Sequence, residues 1–162
     1  IRIFIVAYLE DSIIHFLLQK HYICYPINLI KMNTTEILNK AKLWLTDTFD
    51  NDTQNEIKQL INDNSDELTD RFHKSLEFGT GGMRGVMGAG TNRINRYTLG
   101  KNTQGISNYL IKEFPNKQLK VAIAYDCRHN SKLFARACAE VFSANNIKVY
   151  LFEFSLSYIR YY

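Results

Sequence analysis

Residues 121–152 read VAIAYDCRHNSKLFARACAEVFSANNIKVYLF, and this stretch decides the fold. VAIAY, at 121–125, is a short apolar run bounded by polar residues, which is typical of a strand buried on both faces. A helix capped by Asn130 or Ser131 should follow, and IKVYLF, at 147–152, should form the next strand. Strand, helix and strand within about 30 residues make a βαβ unit, so we expect a parallel strand pair and an α/β fold.

Helix signals fill the region between Met32 and the first of these strands. Asn33 with Glu36, and Thr53 with Glu56, each have the spacing of a capping box, and Ser65 can cap a third helix. We expect these three helices to cover a core and assign them no chemistry. Residues 97–114 should form a further helix, with one apolar face made of Leu99, Ile106, Leu110 and Phe114.

The composition excludes several classes of protein. A chain of 162 residues with 46% hydrophobic and 22% charged residues is ordinary globular material, long enough for one domain of about 100–150 residues. Three cysteines are an odd number, which argues against a disulfide scaffold and favours a reduced, cytoplasmic setting. A net charge of +4 is too small to indicate a nucleic-acid partner by itself, and the longest uncharged run near the start, residues 3–9, is too short to span a membrane.

Both ends of the chain differ from its middle in amino-acid composition. Residues 1–31 contain no glycine and are crowded with Ile, Phe, Tyr and Leu, and the chain begins with Ile1. Our hypothesis is that Met32 is the natural start and that 1–31 is non-native upstream sequence; the alternative is an amphipathic arm. Residues 154–162, FSLSYIRYY, are similarly rich in aromatic residues, and we interpret them as an aberrant tail that follows an incomplete domain at 32–153.

A glycine-rich segment, EFGTGGMRGVMGAG at residues 77–90, is the first candidate for chemistry. It holds six of the eight glycines of the chain, and no acidic residue lies between Glu77 and Glu113, where five basic residues fall. Free backbone N–H groups, the hydroxyl of Thr80 and the guanidinium of Arg84 suit an oxyanion, above all phosphate. The alternative is a turn that lets two layers pack, with solvated arginines, and composition alone leaves both open.

Known nucleotide motifs do not fit this segment. The Walker pattern is absent because no Gly-Lys-Ser/Thr triplet follows, and a dinucleotide fingerprint beginning at Gly79 would need glycine where Arg84 stands. The residues before Gly79 also look helical rather than strand-like. Arg93 and Arg96, further along, are expected to be solvated.

The segment AYDCRHNS, residues 124–131, lies where the first strand should meet its helix. Ligands of open α/β sheets gather at the carboxyl ends of strands, so Asp126 and Arg128 are candidate site residues. The alternative, which we favour, is that these two side chains pair locally and brace the turn. Cys127 and His129 have no second His or Cys cluster to complete a metal site.

Together, residues 77–110 and VAIAYDCRHNSKLFARACAEVF closely resemble the first domain of the α-D-phosphohexomutases, the phosphoglucomutase and phosphomannomutase family. The resemblance covers roughly residues 32–153. It implies a mixed sheet with helices on both faces, here with extra N-terminal helices, as the first of four domains. Such enzymes move a phosphoryl group between O1 and O6 of a hexose through a phosphoserine and a bisphosphate, glucose 1,6-bisphosphate for a glucose substrate, with Mg²⁺.

The resemblance also assigns roles to individual residues. The arginine of the family's GTxGxRG loop contacts the phosphosugar, and that position is Arg84 here; Thr80 belongs to the same loop. Gly81 and Gly82 of the loop, with Asp126 and Arg128, are the supporting residues. The resemblance thus favours phosphate over a mere packing turn.

Other family elements do not occur in this sequence. The phosphoserine loop T-A-S-H-N-P, the metal loop D-G-D-x-D-R and the sugar-specificity loop are absent. We therefore expect no catalytic residue and no Mg²⁺ ligand in this chain, the missing domains II–IV as its partners, and no turnover by the chain alone. The sugar is not determined by these residues. A different class, a small phosphate- or polyanion-binding module that uses the basic window with Tyr97 or Tyr109, stays open as the alternative.

Overall fold

The computed structural model describes residues 3–9, 12–14, 33–63, 66–76, 78–79, 82–83 and 85–152. These residues form two compact units, each with its own interior. We call the first the helical unit; it contains three helices and the segment Gly85–Asn95. We call the second the sheet unit; it contains the strands and the last two helices. The cap predicted at Ser65 and the tail predicted at 154–162 lie outside the described residues.

The helical unit is built from α1 (Thr34–Lys42), a short 3-10 turn (Leu43–Leu45), α2 (Asn51–Asn62) and α3 (Asp66–Phe72). The capping box of α1 is confirmed, because Asn33 Oδ1 accepts from the Thr35 amide and Glu36 Oε2 accepts from the Asn33 amide, each at 3.3 Å.

The second predicted box is wrong. The N-cap of α2 is Asp50, whose Oδ1 accepts from the Thr53 amide at 2.8 Å. The run Asp50–Thr53 offers several side chains that can cap a helix, and the first of them begins it, so Glu56 lies one turn inside α2 with its carboxylate released for other contacts.

Aromatic packing marks the interior of the helical unit. The ring of Trp44 stacks on Phe49 with centroids 4.5 Å apart and meets Phe72 edge-on at 5.7 Å. Ile37, Ile57 and Phe72 are completely or almost completely buried. This interior explains why the three amphipathic helices hold together, since burial of their apolar stripes is the main source of their stability.

The sheet unit has a four-stranded sheet in the order β2-β1-β5-β6. β5 (Lys120–Tyr125) and β6 (Lys148–Leu151) pair in parallel through the crossover helix α5 (Ser131–Ala144), as predicted from residues 121–152. β1 (Ile3–Leu9) pairs antiparallel with both β2 (Ser12–Ile14) and β5. The fold is therefore α/β with a mixed sheet.

Helix α4 (Arg96–Glu113) packs against α5 in the same unit. Its buried face is less apolar than predicted: Leu99 and Leu110 are buried, but Thr103 and Ser107 accompany them. Both hydroxyls donate to the carbonyl four residues earlier, at 2.8 and 2.9 Å, which satisfies them without a partner helix. Gln104 and Asn145 then exchange two amide hydrogen bonds, at 2.9 and 2.8 Å, between α4 and the end of α5.

β1 and β2 lie within the segment that the sequence hypothesis treats as upstream sequence. Six residue pairs join β1 to β5, from Ile3 opposite Tyr125 to Tyr8 opposite Lys120, and Ala7 is buried. The hypothesis that Met32 is the natural start stays a prediction. None of the described helices has the length and hydropathy needed to cross a membrane.

Candidate functional site

The first half of the glycine-rich segment forms a small hairpin. β3 (Phe78–Gly79) and β4 (Gly82–Met83) pair antiparallel, with Phe78 opposite Met83 and Gly79 opposite Gly82. The prediction that the chain before Gly79 is helical is therefore wrong at Phe78, where a strand begins. Gly82 lies in β4, whereas Thr80, Gly81 and Arg84 lie outside the described residues.

The second half, Gly85–Asn95, has a structural reason for two of its glycines. Gly88 and Gly90 have φ of +144° and +126°, a region that residues with a side chain rarely adopt. A Cβ on Gly90 would lie 2.8 Å from the carbonyl oxygen of Arg71. Asn95 Nδ2 fixes the turn by donating to the Gly88 and Gly90 carbonyls at 2.9 and 3.0 Å. For these two positions the packing explanation holds.

Arg71 connects this segment to the helices. Its guanidinium forms ion pairs with Glu56 and Glu67 and donates to the Ala89 carbonyl at 3.0 Å. Burial alone would lower the pKa of Arg71, but the hydrogen bonds and charges of the two carboxylates outweigh it and raise that pKa. Glu56 also accepts from the Ala89 amide at 3.2 Å, so one carboxylate and one guanidinium hold both backbone groups of Ala89.

Sequence reasoning missed this network. The pair Glu67 and Arg71 has the i,i+4 spacing of a helix ion pair and could have been found. The contacts of Glu56 join residues that are fifteen and thirty-three positions apart, and no local pattern indicates them.

The expectation that Arg93 is solvated is wrong. The side chain of Arg93 is only 6% exposed, and its Nη2 lies 2.5 Å from Asp70 Oδ2. The hydrogen bond from Arg93 is the largest cause that lowers the pKa of the Asp70 carboxyl. Arg96, in contrast, is exposed as expected, and its guanidinium lies 5.7 Å from the centroid of the Tyr97 ring.

Asp126 and Arg128 pair at the carboxyl end of β5, as expected from the interpretation that these two side chains brace the turn. Arg128 Nη1 lies 3.5 Å from Asp126 Oδ2. The other carboxylate oxygen accepts from the Arg128 amide at 3.2 Å and from the Ser131 hydroxyl at 2.5 Å. Asp126 thus ties the turn to Ser131, the first residue of α5. The N-cap residue of α5 is Asn130, and its side chain makes no capping hydrogen bond.

The neighbouring residues Cys127 and His129 are both exposed. Within the described ranges, no group of three His, Cys, Asp or Glu side chains is arranged to hold a metal ion. The turn after β5 presents the Asp126 carboxylate, held by the Ser131 hydroxyl, and the Arg128 guanidinium, whose side chain is 58% exposed.

Comparisons with known proteins place these features in a family. The family model described as phosphoglucomutase/phosphomannomutase, alpha/beta/alpha domain I, matches residues 75–159, slightly more than half of the chain. The matched segment includes the β3–β4 hairpin, α4 and the β5-α5-β6 unit. No solved structure matches.

Three curated relatives illustrate the range of names in the family. The chain is 41% identical over 109 residues, 62% of its length, to a phosphopentomutase of Mus musculus, and 38% identical over 112 residues, 68% of its length, to a probable phosphoribomutase of Schizosaccharomyces pombe. It is 42% identical over 80 residues, 49% of its length, to a phosphoglucomutase of Staphylococcus haemolyticus. The chain spans 18%, 19% and 14% of these relatives, respectively, less than a fifth in each case. With the hairpin, the βαβ unit and the family match in agreement, the chain belongs to the phosphoglucomutase/phosphomannomutase family and carries its N-terminal alpha/beta/alpha domain I.

Proposed function

We propose that this chain supplies the phosphate-gripping first domain of a sugar-phosphate mutase, an enzyme that moves a phosphoryl group between two hydroxyls of one sugar. The observation that carries the proposal is that the family match contains both the FGTGGMRG loop and the turn after β5. The acid-free, basic composition of residues 78–112 supports it, because a site for a dianion is served by cations without competing carboxylates.

The substrate class follows from chemistry that the relatives share. Their names refer to a pentose, to ribose and to glucose, so the common element is a sugar carrying a phosphate group. We propose transfer between the anomeric oxygen and the terminal primary oxygen, O1 and O6 in a hexose or O1 and O5 in a pentose. The resemblance further implies a phosphoserine as phosphoryl carrier and a sugar bisphosphate as intermediate.

The residues of this chain would act by binding and orientation. Arg84 would hold phosphate oxygens with its planar fork of N–H donors, and Thr80 and the backbone amides of Gly81 and Gly82 would complete the cradle. Asp126 and Arg128 would keep the turn after β5 in one conformation through the ion pair and hydrogen bonds already described. Fixed donors of this kind stabilise charge that develops in phosphoryl transfer without reorganising during the step.

Mg²⁺ does not fit the described part of this chain. The carboxylate of Asp126, in the turn after β5, is engaged by Arg128 and Ser131, and the described residues form no cluster of metal ligands. The metal loop is therefore expected in another part of the enzyme.

The experiment that tests the proposal uses the full-length protein that contains this chain. Glucose 1-phosphate and ribose 1-phosphate are supplied separately, and the phosphorus resonances of the 1-phosphate and the terminal phosphate are followed by NMR. We expect conversion of at least one substrate. Failure to convert either sugar, in protein that is folded and phosphorylated on serine, would contradict the proposal.

The 162-residue chain by itself provides the matched control. We expect no isomerisation, because its sequence lacks the phosphoserine loop that would carry the phosphoryl group. Conversion of glucose 1-phosphate by rigorously purified chain, above a mock preparation, would show that the phosphoryl carrier lies within these residues.

A further inference from the structure

A basic pocket lies in the sheet unit, formed by the start of α4, the turn before α5 and the outer face of α5. Its volume is about 530 Å³, within the range of small-molecule sites. Four cationic side chains line it, with a single acidic one: Arg96, Arg128, Lys132 and Arg136, against Glu140. The formal charge of the lining is therefore +3, a concentration of positive charge that the chain's net charge of +4 does not suggest.

The spacing of the cations sets the size of what the pocket can hold. Lys132, Arg136 and Glu140 are four residues apart and share one face of α5, with about 6 Å of rise between successive members. Arg128 precedes them by the same interval, and Arg96 approaches from α4. Two phosphate groups separated by a small carbon skeleton match this spacing of cations, because each phosphate group can contact one or two of them.

The remaining lining favours a compact organic ligand over a polymer. Leu133 and Ala137 add apolar surface beside the cations, and Leu133 is 56% exposed although it is a large hydrophobic residue. Glu140 closes the row of cations with a negative charge, which would repel a phosphate backbone that continued past Arg136. A nucleic acid prefers an open basic stripe, and this pocket has a charge of the opposite sign at one end.

From these observations we infer that the basic pocket binds a small carbon compound bearing two or more phosphate groups. Arg96, Lys132 and Arg136 hold the phosphates, and Leu133 with Ala137 contacts the carbon skeleton. The pocket is separate in sequence from the FGTGGMRG loop and shares only Arg128 with the turn after β5, and the inference does not depend on the proposed mutase reaction.

The test measures binding of fructose 1,6-bisphosphate and of inorganic phosphate to the full 162-residue chain by amide NMR titration, at about 0.15 M salt. We expect a dissociation constant at least tenfold lower for the bisphosphate, with the amide shifts concentrated between residues 128 and 137. Shifts confined to residues 78–84 would place the ligand on the loop of the proposed function and overturn the inference.

Two double variants, each replacing two cationic side chains by glutamine, make the test more specific. Lys132→Gln with Arg136→Gln removes two cations of the pocket but leaves the Asp126–Arg128 brace intact, and we expect at least a tenfold loss of bisphosphate affinity. Lys101→Gln with Lys112→Gln makes the same change of net charge at exposed positions of α4 outside the pocket, and we expect less than a twofold loss. Thermal midpoints of both variants verify that they are folded.

Three results would overturn the inference. They are the absence of saturable bisphosphate binding, equal losses in the two paired variants, and tighter binding of a single-stranded oligonucleotide than of the bisphosphate. The last of these would identify the pocket as part of a nucleic-acid surface.

Discussion

At the scale of single residues, the arginines around the glycine-rich segment have different roles, which their surroundings determine. Arg71 and Arg93 are buried and held by carboxylates of the helical unit, so each stabilises the fold and neither is available to a ligand. Arg96 is exposed and lines the basic pocket. A guanidinium that contacts phosphate must be both charged and accessible, which excludes the first two.

Arg84 is the residue on which the proposed function depends most directly. In the full-length enzyme, Arg84→Lys keeps the positive charge but loses the planar fork that can hold a phosphate with two parallel hydrogen bonds. A contact that strengthens in the transition state contributes about 2–4 kcal/mol, so we expect kcat/KM to fall by roughly 30-fold to 1000-fold. The control is Lys101→Arg on the exposed surface of α4, which should stay within a few-fold of the original rate. An Arg84→Lys enzyme with unchanged kcat/KM would remove Arg84 from the phosphate site.

Asp70 gives the helical unit a defined dependence on pH. Its folded-state pKa is lowered, chiefly by the hydrogen bond from Arg93, so its stabilising effect is present above the unfolded pKa and is lost as pH falls through the folded value. Because the Asp70 side chain is 61% exposed, Asp70→Asn should lower the free energy of unfolding by only about 0.5–1 kcal/mol at pH 7. The difference should vanish well below the ordinary carboxyl pKa of 3.8. Urea titrations at pH 7 and at a pH well below 3.8 measure this difference in the free energy of unfolding, with Asp47→Asn at an exposed position as the control. An equal difference at the two pH values would contradict the role assigned to Asp70.

At the scale of elements, α3 and the Gly85–Asn95 segment approach each other so closely that glycine is required between them. Backbone hydrogen bonds join the segment to α3 and the residues after it: the Asn92 amide donates to the Arg71 carbonyl at 2.9 Å, and the Leu76 amide donates to the Thr91 carbonyl at 2.7 Å. These hydrogen bonds hold in place a segment that contains no helix and no named strand.

Two alanine substitutions separate this requirement from ordinary flexibility. Gly90→Ala introduces a Cβ 2.8 Å from the Arg71 carbonyl oxygen at a φ of +126°, and we expect a loss of about 2 kcal/mol or more in stability. Gly105→Ala, in the interior of α4, meets nothing within 4 Å and should stabilise the chain by about 0.5–1 kcal/mol, because alanine is the better helix former. Thermal midpoints should therefore move in opposite directions. A neutral Gly90→Ala would show that this close approach is not essential.

The elements that sequence predicted best are those whose signals are local. The capping box at Asn33 and the βαβ unit at 121–152 depend on residues a few positions apart, and both were confirmed. The N-cap of α2 was misplaced because several polar residues in one run can serve, and only packing selects among them. The burial of Arg93 was missed because its partner Asp70 lies on α3, twenty-three residues earlier in the chain. Of the candidate site, the ion pair between Asp126 and Arg128 could be predicted from the sequence. The cations of α5 could not be recognised as part of a pocket, because the pocket also needs Arg96, which lies at the start of α4.

At the scale of the whole molecule, the chain passes between its two units more than once. It leaves the helical unit for the β3–β4 hairpin, returns for Gly85–Asn95 and then enters the sheet unit at Arg96. Each unit therefore depends on residues from separate parts of the sequence. The family match begins at residue 75, so α1, α2 and α3 precede the matched domain although the segment Gly85–Asn95 packs with them.

The first strand is where the structure and the start-site hypothesis make opposite predictions about stability. β1 lies between β2 and β5, and six of its residues pair with β5, whose Val121 and Ile123 are completely buried. Removing residues 1–31 would expose the hydrogen-bonding edge of β5 and part of that apolar surface. From the geometry we expect the shortened chain to lose about 2 kcal/mol or more, measured as a lower urea midpoint. Ala7→Asp in the intact chain tests the same contact with a single change, since a charge at this buried position should destabilise it markedly. If the chain that begins at Met32 is as stable as the full one and Ala7→Asp is neutral, β1 is dispensable and Met32 is the better start of the folded protein.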